Sequence, residues 1–201
     1  MPTMLEKDNS NELPDAFLEQ FLGYLSDPKF SKAGDLTSYL STTADRQIGD
    51  ERNIVDNRVT RKLIEALGYA DNEIDQDEQK DNLRPDFKVS IKEYPFRACF
   101  IIEDKKTSIR DLQAHRPQLY SYMAQTGAPS GMLINGRAIL VYDQADNGQQ
   151  APTTIIPLDE AVAAWRGENI LSEKGTTKKA ALETAGLLPS LSSLWRRFGN
   201  Y

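Results

Sequence analysis

The run Ala98-Cys-Phe-Ile-Ile102 is unbroken apolar sequence that stops abruptly at Glu103-Asp104-Lys105. A short, continuous apolar run fits a central strand buried on both faces. Side chains alternate along a strand, so Glu103 and Lys105 project together and Asp104 projects the opposite way. Charges at the end of a buried strand are costly without partners or a task. The segment Phe87-Lys-Val-Ser-Ile-Lys92 alternates apolar and polar residues, as a half-buried strand does, and Arg84-Pro85-Asp86 precedes it. If the two segments are neighbouring strands, Asp86 reaches the same place as Glu103 and Lys105.

Two carboxylates and one ammonium meeting at a strand end suit metal-assisted phosphodiester hydrolysis. The carboxylates are hard oxygen ligands for Mg²⁺, and the ammonium stands near the attacking water or the scissile phosphate. An ordinary strand end with solvated charges is the competing explanation. Other chemistries are poorly supplied. His115 is the only histidine and Cys99 the only cysteine. Paired-histidine zinc sites and Cys/His zinc clusters are therefore excluded. Cys99 lies inside the apolar run, where a Cys-His nucleophile is not expected. There is no Gly-x-x-x-x-Gly-Lys-Ser/Thr loop, so the chain carries no phosphate-binding motor of that type.

The surrounding pattern predicts helices and strands in mixed order. Phe17, Leu18, Phe21, Leu22 and Leu25 recur at helical spacing after Pro14, and a short helix is expected over 35–46. Val55, Val59, Leu63 and Leu67 mark a helix from Asp50 to Leu67, ended by Gly68. Glu51 lies four residues before Val55, on the inward face. It reads either as a favourable first-turn acid or as a carboxylate aimed at the sheet. A helix is expected from Ser108 to Gln125, with Pro117 as a kink or a new start. Asn135-Gly136 is a two-residue hairpin signal between the strand Met132–Ile134 and the strand Arg137–Tyr142. A strand at 153–157, a helix at 158–166 and helical pieces at 176–185 and 189–198 follow. Only two clear strands precede the 108–125 helix; a third is sought in 70–84, where Glu73-Ile74-Asp75 is a poor candidate. The fold class is α/β or α+β, a central mixed sheet flanked by helices. Residues 46–160 form the core, with helical extensions at 1–45 and 161–201.

The net charge is −6, which argues mildly against a protein that coats nucleic acid but leaves room for a local basic strip. Acid gathers at 71–81, and base at 105–116 (Lys105, Lys106, Arg110, His115, Arg116), beside the charged strand end. No apolar run has membrane-spanning length, and the N-terminus lacks a signal pattern. With a single cysteine, a reducing cytoplasm fits.

Four motifs in order resemble the PD-(D/E)XK nuclease superfamily, and within it the N-terminal nuclease domain of type I restriction enzyme R subunits. They are Leu63-Ile-Glu-Ala-Leu-Gly-Tyr69, Arg84-Pro85-Asp86, Ile102-Glu103-Asp104-Lys105 and Gln118-Leu-Tyr-Ser-Tyr122. The resemblance covers about residues 50–143 and implies a restriction-endonuclease-like αβββαβ core that hydrolyses DNA. It implies metal ligation by Asp86, Glu103 and the backbone carbonyl of Asp104, with Mg²⁺ or Mn²⁺ as the ion. The additional helix acid of the family maps to Glu51, with Asp56 as its competitor. Lys105 would orient the attacking water or stabilise charge on the phosphate. Gln118 would hydrogen-bond a phosphate, a base or Lys105, and Tyr122 is either part of this group or simply core. The implied partners are DNA, subunits carrying a motor or a methyltransferase, and a second copy of the chain where both strands are cut. A non-catalytic module for nucleic-acid binding or assembly on the same fold is the alternative. Trp195-Arg-Arg-Phe198 reads as an amphipathic helix end or as a contact for DNA or a partner.

Overall fold

The computed structural model describes residues 13–42, 51–77, 84–92, 94–95, 97–146, 151–167 and 178–199. The predicted polar terminus 1–12, the 43–46 end of the second helix, the acidic residues 78–81 and the loop residues 147–148 lie outside these.

Helix α1 (Asp15–Leu18) runs on with wider, π-type winding over Glu19–Gly23, and α2 covers Leu36–Ser41. Asp35 caps α2: its carboxylate accepts the Ser38 N–H at 2.8 Å and the Thr37 hydroxyl at 3.0 Å. Helix α3 is π-wound over Glu51–Thr60 and α-helical over Arg61–Ala66. Its apolar stripe, Val55, Val59 and Leu63, is fully buried, as the spacing predicts.

The six strands are β1 (Ile74–Gln76), β2 (Phe87–Ser90), β3 (Ala98–Asp104), β4 (Ser130–Ile134), β5 (Ala138–Asp143) and β6 (Thr154–Pro157). They lie in sequence order in one sheet. Neighbours are antiparallel except β3 and β4, which are parallel. The third strand sought in 70–84 is β1. It is short and polar because it is an edge strand, so its pattern carries little hydrophobic signal. β2 and β3 pair antiparallel, with Phe87 opposite Ile102 and Val89 opposite Phe100. A bulge then sets Ser90 opposite Ala98. The extra residue, Cys99, lets Ala98 and Phe100 pack on opposite faces although they are two apart.

A parallel pair needs a crossover, and β3 reaches β4 through helix α4 (Arg116–Thr126). The expected helix start at Ser108 is corrected here. Residues Leu112–His115 form a 3₁₀ turn, and the α-helix begins at Arg116. Pro117 sits in its first turn, where a missing N–H costs nothing. Helix α4 lies close on β4: a Cβ on Gly131 would meet Leu119 Cδ1 and Met123 Sδ at 3.0 Å each. This layer holds Leu119, Tyr122, Met123, Ile101, Leu133 and Tyr142.

The opposite face carries the larger core. Phe87, Phe100, Ile102, Ile134, Val141 and Ile156 pack there against the helices. These include α5 (Leu158–Arg166), α6 (Lys178–Thr184) and α7 (Leu188–Phe198). Residues from both ends of the chain are built into it. The Phe17 ring is 5.3 Å from Trp195, and Phe100 is 5.0 Å from Phe198. Arg197 ties α7 to the sheet through Asp143 and the Ser130 hydroxyl, the latter at 3.3 Å. Among the described residues no helix is long and apolar enough to cross a membrane.

Candidate active site

The β2–β3 register sets the site. Phe87 faces Ile102, so the next pair in the ladder is Asp86 with Glu103, on the α4 side of the sheet. Both carboxylates are buried, at 6% and 3% exposure. Lys105 follows on the same face, and its Nζ makes an ion pair with Glu103 Oε1. Its backbone N–H donates to the Ile134 carbonyl at 2.8 Å, continuing the β3–β4 ladder one residue past β3. Asp86, Glu103 and Lys105 thus meet at one end of the central strands.

Asp104 points the other way, as alternation requires. Its Oδ1 accepts the Thr60 hydroxyl of α3 at 2.7 Å, and both residues are fully buried. The Asp104 backbone N–H donates to Asp86 Oδ2 at 2.6 Å, fixing the Asp86 carboxylate against β3. The backbone of Asp86 is also tied down, because its carbonyl accepts the Asp77 N–H at 2.8 Å. Arg84 does not turn toward the site; its Nη2 is 3.1 Å from the buried Asp77 Oδ1.

Helix α4 packs over this face of the sheet. Gln118 and Tyr122, one turn apart, share a face, and Gln118 Nε2 donates to the Tyr122 hydroxyl at 3.0 Å. Tyr122 is buried and its hydroxyl is pushed up in pKa. Burial is the main cause; the Glu103 and Asp86 carboxylates push the same way, against the Gln118 bond and the Lys105 charge. Tyr122 therefore belongs both to the core layer and to the electrostatic surroundings of all three charged residues. His115, at the entrance to α4, is pushed down, first by burial and then by the Lys105 charge. Glu51 and Asp111 pull it back up. Glu51 is half-buried at the start of α3, and its charge acts on His115, while its competitor Asp56 is 1% exposed in α3.

Among the described residues no three His, Cys, Asp or Glu side chains stand together as a ready cation cage. The pair Asp86 and Glu103 still fits a hard divalent ion. Mg²⁺ is commonly held by one or two carboxylates, with water and substrate phosphate completing the octahedron.

Sequence alone does not single out Thr60, Asp77 or His115 for the site. A threonine one turn after a buried aspartate in a helix was the available signal for the first. Nothing local marked Asp77 within its acidic run. His115 could be read only as part of the basic stretch.

Comparison with curated proteins and with solved structures finds no match. Comparison with protein families does: residues 52–157 match the family described as "Type I restriction enzyme R protein N terminus (HSDR_N)". The match takes in β1 to β6 and α4, with Asp86, Glu103, Lys105, Gln118 and Tyr122, and it begins one residue after Glu51. It spans more than half of the chain, which therefore belongs to the family of type I restriction enzyme R protein N termini.

Proposed function

We propose that this chain is a metal-dependent deoxyribonuclease of the PD-(D/E)XK type, acting in restriction or defence. The observation that carries the reading is the placing of Asp86 and Glu103 side by side with Lys105 on one sheet face, under the Gln118–Tyr122 helix. Asp86 and Glu103 would hold Mg²⁺ or Mn²⁺, with the Asp104 carbonyl and Glu51 as further candidates. The ion supplies Lewis acidity at the phosphate and lowers the pKa of bound water.

The protein's own part follows from the geometry. The Asp104 N–H holds the Asp86 carboxylate in one orientation, so its ligand oxygen is presented without reorganisation. The Glu103 carboxylate keeps the Lys105 ammonium at the mouth of the site, where it can pass to a phosphate oxygen as negative charge develops. The layer formed by Leu119, Tyr122 and Met123 excludes water behind the charged group and strengthens its fields. The neighbouring Lys106, Arg110 and Arg116 supply charge for the nucleic-acid backbone. DNA is the substrate in this reading, and subunits carrying a motor or a methyltransferase are its partners. Cutting both strands calls for a second copy of the chain.

The test is calorimetric titration of the wild-type protein and Asp86→Ala with Mn²⁺, followed by incubation of both with plasmid and single-stranded DNA. Binding and cleavage that both vanish in the variant are the expected result. A folded wild-type protein that neither binds the ion nor cuts would replace this reading with a non-catalytic assembly module.

A further inference from the structure

β3 ends at Asp104, and the chain from Lys105 onward has no strand or helix of its own before Leu112. This loop is nevertheless fixed at several points. Ile109 N–H bonds the Lys106 carbonyl at 3.0 Å, closing a turn. The other anchors come from the tip of the β4–β5 hairpin. Asn135 Nδ2 donates to the Ile109 carbonyl at 2.8 Å, while its Oδ1 accepts the Arg137 and Ala138 N–H groups at 3.0 and 3.1 Å. Gly136 between them has φ +77°, and a Cβ there would stand 3.2 Å from Thr107 Cγ2. A side chain at this position would therefore be strained and would press on the loop.

Arg137 completes the arrangement and extends it. Its Nε donates to the Thr107 carbonyl at 2.9 Å. Its Nη2 donates at 3.2 Å to the carbonyl of Leu40, in the last turn of α2. The final carbonyls of a helix lack partners within the helix, and an arginine is well suited to cap them. One rigid guanidinium thus holds the end of α2 and the loop after Lys105 at the same time. Helix α2 lies before residue 52, outside the segment that the family match covers.

We infer that Arg137 is a positioning residue: it clamps the 105–109 loop against α2 and so fixes where the Lys105 side chain stands. The N-terminal helices then serve the site as well as the core. A guanidinium can span two carbonyls with separate N–H groups in fixed geometry, whereas a lysine ammonium can serve either but not both in the same way. The clamp stands on geometry alone; its effect on cleavage rests on the nuclease reading.

The experiment compares the full chain with Arg137→Ala and Arg137→Lys by amide hydrogen exchange, and then by cleavage kinetics on plasmid DNA with Mn²⁺. Exchange in residues 105–110 and 36–41 should quicken about ten-fold or more in Arg137→Ala, with β4 and β5 little changed. Arg137→Lys should recover one of the two segments at most. Cleavage should show kcat lowered about ten-fold with KM held, as expected when a reacting group is misplaced and substrate binding is kept. Unchanged exchange in either segment, or equal acceleration throughout the sheet, would overturn the clamp. Quickened exchange with unaltered kcat would overturn the positioning of Lys105. A wild-type protein that cuts nothing would remove the nuclease reading, and the exchange data would still decide the clamp.

Discussion

The two faces of the sheet are built to different ends. The face beneath α1, α2, α3, α5 and α7 is a thick apolar layer, with aromatic rings of both chain termini set into it. Its buried Asp104 is answered at close range by Thr60. The face beneath α4 has a thinner apolar layer, and buried charges share its edge: Asp86, Glu103 and the partly covered Lys105. Alternation along a single strand divides the roles. Ile102 and Asp104 serve the thick side, while Ile101, Glu103 and Lys105 serve the thin one. Apolar packing is deepest on the first face, and charge that would weaken a core is kept on the face that α4 covers.

Cutting into the thick face should show the largest effect. Phe100 is 1% exposed and touches the rings of Tyr69 and Phe198. Phe100→Ala should lower unfolding free energy by about 3–5 kcal/mol, measured by urea denaturation. A loss below about 1 kcal/mol would mean that the C-terminal helix is not part of the cooperative core. On the thin face the balance should reverse. Lys105→Ala should lower unfolding free energy by about 1–3 kcal/mol, the cost of taking the partner ammonium from buried Glu103 and less than for Phe100→Ala, while cleavage falls by about 10²–10³-fold, close to the loss of one preorganised charge donor. Equal damage to stability and to cleavage would erase the distinction between the faces.

An intermediate effect is expected at Asp104, which bonds Thr60 on one side of the sheet and Asp86 on the other. Thr60→Val keeps the side-chain volume but removes the hydroxyl that donates to buried Asp104. Losing a hydrogen bond to a buried carboxylate costs about 1–3 kcal/mol. Because the Asp104 N–H also holds Asp86, a drop in Mn²⁺ affinity should accompany the loss of stability. Calorimetry on Thr60→Val measures both; unchanged affinity would show that the two faces are energetically separate at Asp104.

How far the sequence shows this division depends on the element. The alternation at 103–105 is a strict consequence of strand geometry, so the pointing of Glu103 and Lys105 against Asp104 could be read without coordinates. The order of strands around α4 could be read too, because a hairpin signal at Asn135-Gly136 and helical spacing at 118–122 are local. β1 was nearly invisible, since an edge strand of three residues needs no apolar pattern. The helix start at Arg116 is hard to read, because the preceding 3₁₀ turn has helix-compatible residues and only Pro117 marks the change. The clamp at Arg137 joins residues 97 apart in sequence, and no local pattern encodes a partner at that distance. The same holds for Thr60 and Asp104, which are 44 apart.

The smallest effect belongs to Asp35, far from the α4 face, and it is readable through pH. Burial alone would raise its pKa, but bonds from Ser38 and Thr37 and the charge of Arg166 outweigh burial and hold it below the usual 3.8. The folded-state value is thus depressed relative to the unfolded chain. Its contribution is present above the unfolded value and is lost as pH falls through the folded one. Asp35→Asn keeps a capping oxygen but loses the charge paired with Arg166, so it should cost about 0.5–1 kcal/mol at neutral pH. Thermal melts over roughly pH 5 to pH 2 should show the gap between wild type and Asp35→Asn narrowing toward the acid end. A gap that stays constant would mean that packing around the side chain, and not its charge, holds α2 to α5.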